Sequence, residues 1–129
     1  MAHDVFVSYS HNDKAITDAV VDGVENNHIR CWVAPRDISP GSSLGEAIDD
    51  CRKVAAFYSP TYLDSKVCIE EFNIALCRHR ESDEPILKPI YLYSANLPTY
   101  MRLVQFFDCR ESNPERIEQA VIHLLEDAV

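Results

Sequence analysis

Glycine is scarce in this chain: Gly23, Gly41 and Gly45 are the only three among 129 residues. Neither the G-x-G-x-x-G turn of dinucleotide-binding sheets nor the G-x-x-x-x-G-K-[ST] phosphate loop is present, and no G-x-S-x-G elbow occurs. These absences argue against dehydrogenases, P-loop nucleotidases and α/β-type serine hydrolases. Basic residues are also few, with 12 Lys and Arg against 21 Asp and Glu and a formal net charge of −9. A general nucleic-acid binder needs a basic face to release phosphate counterions, so no nucleic-acid partner is expected. A local basic patch is still open around Arg30, Arg36, Arg52 and Lys53. No apolar run approaches the roughly 18 to 20 residues of a membrane helix, and Met1-Ala2-His3-Asp4 lacks the basic and apolar regions of a signal peptide. The chain is therefore expected to be soluble and cytoplasmic. No Cys-x-x-Cys pair occurs. Cys31, Cys51, Cys68, Cys77 and Cys109 are odd in number and widely spaced, and read as reduced core residues. The histidines are scattered as well, so no metal site is expected.

What is present is an alternation. The length fits one domain spanning residues 1–129. Asp4 to Ser10 is a β-branched and aromatic run, read as a first strand, and His11-Asn12-Asp13 supplies turn and capping residues. Ile16, Ala19, Val20 and Val24 recur at helical spacing as far as the stop at Asn26-Asn27. Ile29 to Ala34 reads as a second strand. The loop from Pro35 to Ser43 then exceeds the length that a strand-to-helix connection needs, which makes it a candidate for function. A helix follows from the capping box Ser43-Leu44-Gly45-Glu46 through Cys51, and Val54 to Ser59 is a continuous apolar strand. Ser59 to Asp64 leads into a helix ending near Arg80. Ile86 to Tyr93 is a fourth strand that Pro89 pushes toward a bulge or kink. Pro98 breaks any long helix between Ser94 and Leu103, Val104 to Asp108 is a short fifth strand, and Asn113-Pro114-Glu115 opens a last helix.

Strand and helix alternate about five times, the pattern of a parallel sheet with helices on both faces. Right-handed crossovers favour the flavodoxin-like order 2-1-3-4-5, whose ligand crevice opens at the carboxyl ends of strands one and three. That crevice lies beside the loops after Ser10 and Ser59 and the first turns of the helix that follows Ser65.

One residue of that helix is out of character. A helical side chain touches those three and four positions away, so the neighbours of Glu71 are Val67, Cys68, Ile74 and Ala75, all apolar. Glu70 keeps the company of a solvated acid, with Lys66 one turn back and Asn73 beside it. Glu71 is thus expected to be half-buried. Desolvating an unpaired carboxylate is costly, and chains often bear that cost at working sites. The other reading, a carboxylate at the rim of an apolar face that reaches out to water, stays open at this stage.

Four stretches together resemble the TIR domain (Toll/interleukin-1 receptor and resistance-protein domain), in the form common among bacterial members. They are Asp4-Val5-Phe6-Val7-Ser8-Tyr9-Ser10, similar to the first box; Cys31-Trp32-Val33-Ala34-Pro35-Arg36-Asp37-Ile38-Ser39-Pro40-Gly41, similar to the second box and BB loop; Tyr58-Ser59-Pro60-Thr61-Tyr62-Leu63-Asp64-Ser65; and Cys68-Ile69-Glu70-Glu71 with Ala75. The resemblance covers nearly the whole chain. It implies the TIR fold and an enzyme that cleaves the nicotinamide-ribose bond of NAD+, giving ADP-ribose or a cyclic isomer as an immune, anti-phage type signal. NAD+ would be the substrate, and no cofactor is implied. The family's catalytic glutamate maps onto Glu71. By the same resemblance Tyr9 and Ser10 border the nicotinamide ribose, His11 lines the mouth, and Gly41, Ser43 and Leu44 close over the substrate. Ala34, Val67 and Cys68 complete the implied substrate-binding set. Arg36 is implied to meet phosphate or to be a surface-loop cation, Asp37 to shape its loop, and Trp32 to belong to the core. The chain departs from many catalytic members at Ser43 and Leu44, where they carry an aromatic residue, and at Val67, where they often carry tryptophan. Two alternatives remain: a non-catalytic TIR-TIR scaffold that self-associates through the Pro35 to Ser43 loop, and a nucleoside deoxyribosyltransferase-like enzyme.

Overall fold

The first strand, β1 (His3–Ser8), alternates its side chains between two apolar layers, because successive strand residues point to opposite faces. Val5 and Val7 enter one layer and Phe6 the other. The computed structural model describes residues 3–33, 44–110 and 113–126. Around β1 the chain builds α1 (Lys14–Glu25), β2 (Cys31–Val33), α2 (Leu44–Asp50), β3 (Cys51–Tyr58), α3 (Pro60–Asp64), α4 (Lys66–Glu81), β4 (Ile90–Tyr91), α5 (Thr99–Arg102), β5 (Phe107–Asp108) and α6 (Pro114–Leu125). The sheet has five strands in the order β2-β1-β3-β4-β5, all parallel. This is the α/β order that the alternation predicts.

Both faces of the sheet are covered, as a parallel sheet requires. On one face Val20, Val21 and Val24 of α1 and Ala120, Val121 and Leu124 of α6 pack on Val5, Val7, Ala55 and Phe57. On the other, Ile48 of α2, Tyr62 of α3 and Phe72, Ala75 and Leu76 of α4 pack on Phe6, Val54, Ala56 and Tyr58. Trp32 stacks on Phe6 with ring centroids 4.8 Å apart, a core role as expected.

Element bounds differ from the sequence reading where tertiary contacts intervene. Cys51 begins β3 and pairs with His3, whereas helical spacing assigned it to the preceding helix. Arg78 of α4 donates to the carbonyls of Ile48 and Cys51 at 2.6 and 3.0 Å, so the end of α2 is satisfied and the chain passes directly from helix to strand. β1 stops at Ser8, because the Ser10 carbonyl accepts the amide of Asp13 and turns the chain. The fourth strand is shorter than expected. Leu87 bridges Val54, and Ile90 and Tyr91 pair with Phe57 and Tyr58 in the same register. Between them stands Pro89, which has no N–H to give, and the expected interruption falls there. β5 shrinks to two residues, since Val104 is drawn into the apolar layer. The short α5 follows Pro98, whose carbonyl accepts the amides of Met101 and Arg102.

Two further expectations are corrected. Cys31, Cys51, Cys68 and Cys109 are buried and free, but Cys77 is exposed, because α4 turns that side of its surface to solvent. Of the four cations read as a possible basic patch, Arg36 lies outside the described residues and Lys53 is not at the surface. Lys53 is buried and donates to the Pro85 carbonyl, and Arg30 pairs with Asp4.

The helix pair on the α1 face is tightly set. A Cβ at Gly23 would lie 2.6 Å from Cγ2 of Val121, so α1 and α6 meet through the missing side chain. Helix propensity alone would make Gly23→Ala stabilising by about 1 kcal/mol. Overpacking against a stiff β-branched side chain outweighs that gain, and urea unfolding should show a net loss of about 1 to 2 kcal/mol. In a Val121→Ala background the same substitution should cost less.

Candidate active site

A pocket of about 270 Å³ opens where β1 ends and α4 begins, lined by Val7, Tyr9, Ser10, His11, Ser65, Val67, Cys68 and Glu71. Its place follows from the topology: β1 is flanked by β2 and β3, so the winding reverses beside it and leaves a crevice at its carboxyl end. Local sequence fixes the two walls. Ser65 caps α4, its Oγ accepting the amide of Cys68 at 3.2 Å, which sets the first turn of the helix against the end of β1. The Cys68 thiol then donates to the Tyr9 carbonyl at 3.4 Å. Burial pushes that thiol up to about 11, so it is a neutral donor here rather than a nucleophile.

The loops that follow β1 and β3 are tied together beneath the crevice. The Ser59 hydroxyl donates to Asp13 Oδ2 at 2.5 Å and Thr61 Oγ1 to the same oxygen at 3.2 Å. Ser59 Oγ also accepts the amide of Tyr62 as the cap of α3. This buried carboxylate has donors on hand and is not among the residues that line the pocket.

Glu71 is only 6 % exposed, and Glu70 beside it is exposed. The buried stripe of α4 is Cys68, Glu71, Phe72, Ala75 and Leu76. Val67 and Ile74, taken from spacing as apolar company for Glu71, are turned outward, 50 % and 37 % exposed. Glu71 therefore lies inside the packed face and not at a rim that reaches water, deeper than the half-burial expected. Across the interface Ser8 of β1 donates to Glu71 Oε1 at 2.8 Å, and Ser8 Oγ lies 2.8 Å from the Tyr62 hydroxyl. Burial pushes the carboxyl up to about 7, the Ser8 bond opposes that shift, and the charge of Glu70 adds to it. A carboxylate raised by burial and bordering a crevice is a candidate for a functional group. Burial likewise raises the Tyr9 phenol. His11, which is exposed, sets its ring edge-on to Tyr9 at 5.5 Å and so stands at the mouth.

Of the residues singled out from sequence, Tyr9, Ser10, His11, Val67, Cys68 and Glu71 come together around this pocket. Ala34, Arg36, Asp37, Gly41 and Ser43 lie outside the described residues, as does the whole Pro35 to Ser43 loop; Leu44 opens α2, and only its backbone is described. The sequence reading missed Ser8, Tyr62 and Ser65 as members of the site. A hydroxyl inside an apolar strand was the available signal for Ser8, since a buried hydroxyl needs a partner.

A larger cavity of about 390 Å³ lies at the opposite, amino end of β4, lined by His79, Leu87, Lys88, His123 and Glu126 among others. Its polar groups serve the fold. Lys88 Nζ donates to the carbonyls of His123 and Glu126, and His79 Nδ1 accepts the amides of Ile86 and Leu87. Burial holds both imidazoles below the usual range. Among the described residues no group of three or more His, Cys, Asp or Glu could hold a metal ion, and no helix is long and apolar enough to cross a membrane.

A family model described as TIR domain matches residues 5–125. Among solved structures the chain is similar to the TIR domain of the Toll-related receptor TRR-2 from Hydra magnipapillata, at 19 % identity and a TM-score of 0.78, covering 97 % of this chain and 99 % of that one. A TIR-STING receptor from C. gigas in complex with 2′,3′-cGAMP is 24 % identical with a TM-score of 0.71, the match covering 92 % of this chain and 39 % of the receptor. The TIR domains of the activated Roq1 resistosome, which directly recognises the pathogen effector XopQ, match at 19 % identity and a TM-score of 0.63, over 97 % of this chain and 84 % of that one. At these identities the likeness is one of fold. No curated protein sequence matches.

The raised carboxyl of Glu71 makes a stability prediction with a definite sign. Its native midpoint near 7 lies above the ordinary value of 4.5, so between these two the folded state binds the proton more tightly than the unfolded state does. The stability this lends is whole below pH 4.5 and is lost as pH rises through 7. Glu71→Gln keeps the shape without the charge. It should match the wild type near pH 4 and exceed it above pH 7 by up to about 3 kcal/mol, as read by denaturant titration at several pH values.

Proposed function

The chain belongs to the TIR domain family, and we propose that within it this domain is an NAD+-cleaving enzyme with Glu71 as its catalytic carboxylate. One observation carries the reading: a buried glutamate, held by a hydroxyl donor, borders a pocket at the switch point of the sheet. The chemistry of the bond suits that arrangement. Nicotinamide departs from NAD+ as a neutral base, so no general acid is needed, and the main demand is to stabilise an oxocarbenium-like ribose and to hold its hydroxyls. One anion in a water-poor pocket meets both needs, since electrostatic stabilisation strengthens where water is excluded. Tyr9, Ser10 and His11 would border the ribose and the pocket mouth. The positive charge of bound NAD+ would itself favour the ionised form of Glu71.

Capture of the ribosyl cation by water gives ADP-ribose, and capture by a group of the same substrate gives a cyclic isomer; either product would serve as an immune signal. The second reading, a scaffold that binds other TIR domains, is favoured by one feature. Val67, half exposed at the pocket mouth, offers no aromatic face on which a nicotinamide or adenine ring would stack. On that view the loop from Pro35 to Ser43 is the contact surface.

NAD+ turnover with product identification, at high protein concentration, separates the two readings. Glu71→Ala should lose about 100-fold or more in kcat/KM, while Glu70→Ala should stay within about twofold, as befits an exposed residue. For the wild type, kcat/KM should rise with pH and level off above about 7, because the carboxylate is the active form. Equal inertness of all three proteins, even when forced to assemble, would hand the function to the scaffold reading.

A further inference from the structure

The hydrogen bonds behind Glu71 run through three buried side chains on three elements. Tyr62 of α3 and Ser8 of β1 are both 0 % exposed, and Ser8 Oγ stands 2.8 Å from each of the Tyr62 hydroxyl and Glu71 Oε1. Each hydroxyl has a single proton to give. Among the described residues the Tyr62 hydroxyl has no hydrogen-bond partner other than Ser8 Oγ. A buried phenol that fails to donate leaves its proton unsatisfied, at the full desolvation cost. Tyr62 therefore donates to Ser8, and the Ser8 proton is turned toward Glu71. If Glu71 were protonated and donated to Ser8 instead, the Ser8 proton would have no acceptor left.

We infer that Ser8 and Tyr62 are positioning residues of the site, forming a one-way relay, Tyr62 to Ser8 to Glu71, that fixes the carboxylate in place and favours its ionised form against the burial that opposes it. This rests on the reading of Glu71 as the reacting group. Tyr62 never reaches the pocket and acts only through Ser8. The phenol is well suited to this: burial drives its own ionisation well above the ordinary value, so it remains a donor throughout the working range of pH. The relay also explains why a tyrosine lies fully buried under α4 with its oxygen aimed at a strand hydroxyl. Phenylalanine would fill the same space without an oxygen to satisfy.

The test is a direct titration of the Glu71 carboxyl by 13C NMR on protein labelled at glutamate, assigned with Glu71→Gln. Ser8→Ala should raise the Glu71 midpoint by about one pH unit, through loss of the hydrogen bond to the charged form. Tyr62→Phe should raise it by less, because Ser8 can still donate but is no longer obliged to. The double variant should match Ser8→Ala, since Tyr62 has no separate path to Glu71. Should Ser8→Ala fail to fold, Ser8→Cys retains the shape with a weaker donor and should shift the midpoint in the same direction. An unchanged midpoint in Tyr62→Phe, or strictly additive shifts in the double variant, overturns the relay. The pH profile of kcat/KM should move with the NMR midpoint. Shifted midpoints without turnover in any variant would sink NAD+ cleavage and leave the relay standing. Turnover with unmoved midpoints would do the reverse.

Discussion

Everything in this domain that bears on chemistry depends on how α4 is seated on β1. A strand inside a parallel sheet is covered on both sides, so the helix that closes the second face must present apolar groups to it. Phe72, Ala75 and Leu76 do so. Glu71 rides in the same face, and its displacement from 4.5 to about 7 corresponds to about 3 kcal/mol against the charged form at high pH. Burial of Phe72 alone contributes about 2 to 3 kcal/mol. The helix can thus hold a costly carboxylate because its immediate neighbour offsets most of that cost, which the Ser8 bond has already reduced by opposing the effect of burial.

The crevice around that carboxylate is a product of topology and is kept in shape by polar ties. Where the winding reverses beside β1, the loops after β1 and β3 leave the sheet in different directions. Asp13 fastens one to the other through Ser59 and Thr61, and Cys68 fastens α4 to the backbone of Tyr9. Two buried acids consequently have different characters. Asp13 is occupied by two hydroxyl donors away from the pocket, whereas Glu71 takes one such bond and borders open space. The difference lies in their surroundings, not in their kind.

Glu71 was legible because helical spacing compares a residue with its own neighbours, and Cys68 and Ala75 are indeed buried beside it. The same spacing misplaced Val67 and Ile74, since periodicity gives the direction of a stripe but not its centre. Cys51 fitted a helix and went to a strand, because Arg78, far along the chain, satisfies the carbonyls at the junction. Pro89 spoke correctly for a break in the fourth strand, for a missing N–H is a local fact that no packing can supply.

The sequence by itself determined the alternation of strand and helix, the covering of both sheet faces and the presence of an ill-suited carboxylate, because hydrophobic period, caps and prolines act over a few residues. Only the tertiary structure decided how deep that carboxylate lies, which hydroxyl answers it and which phenol stands behind. Ser8 is 54 residues from Tyr62 and 63 from Glu71. Their meeting is set by strand order and by the register of packing, and no local pattern encodes either.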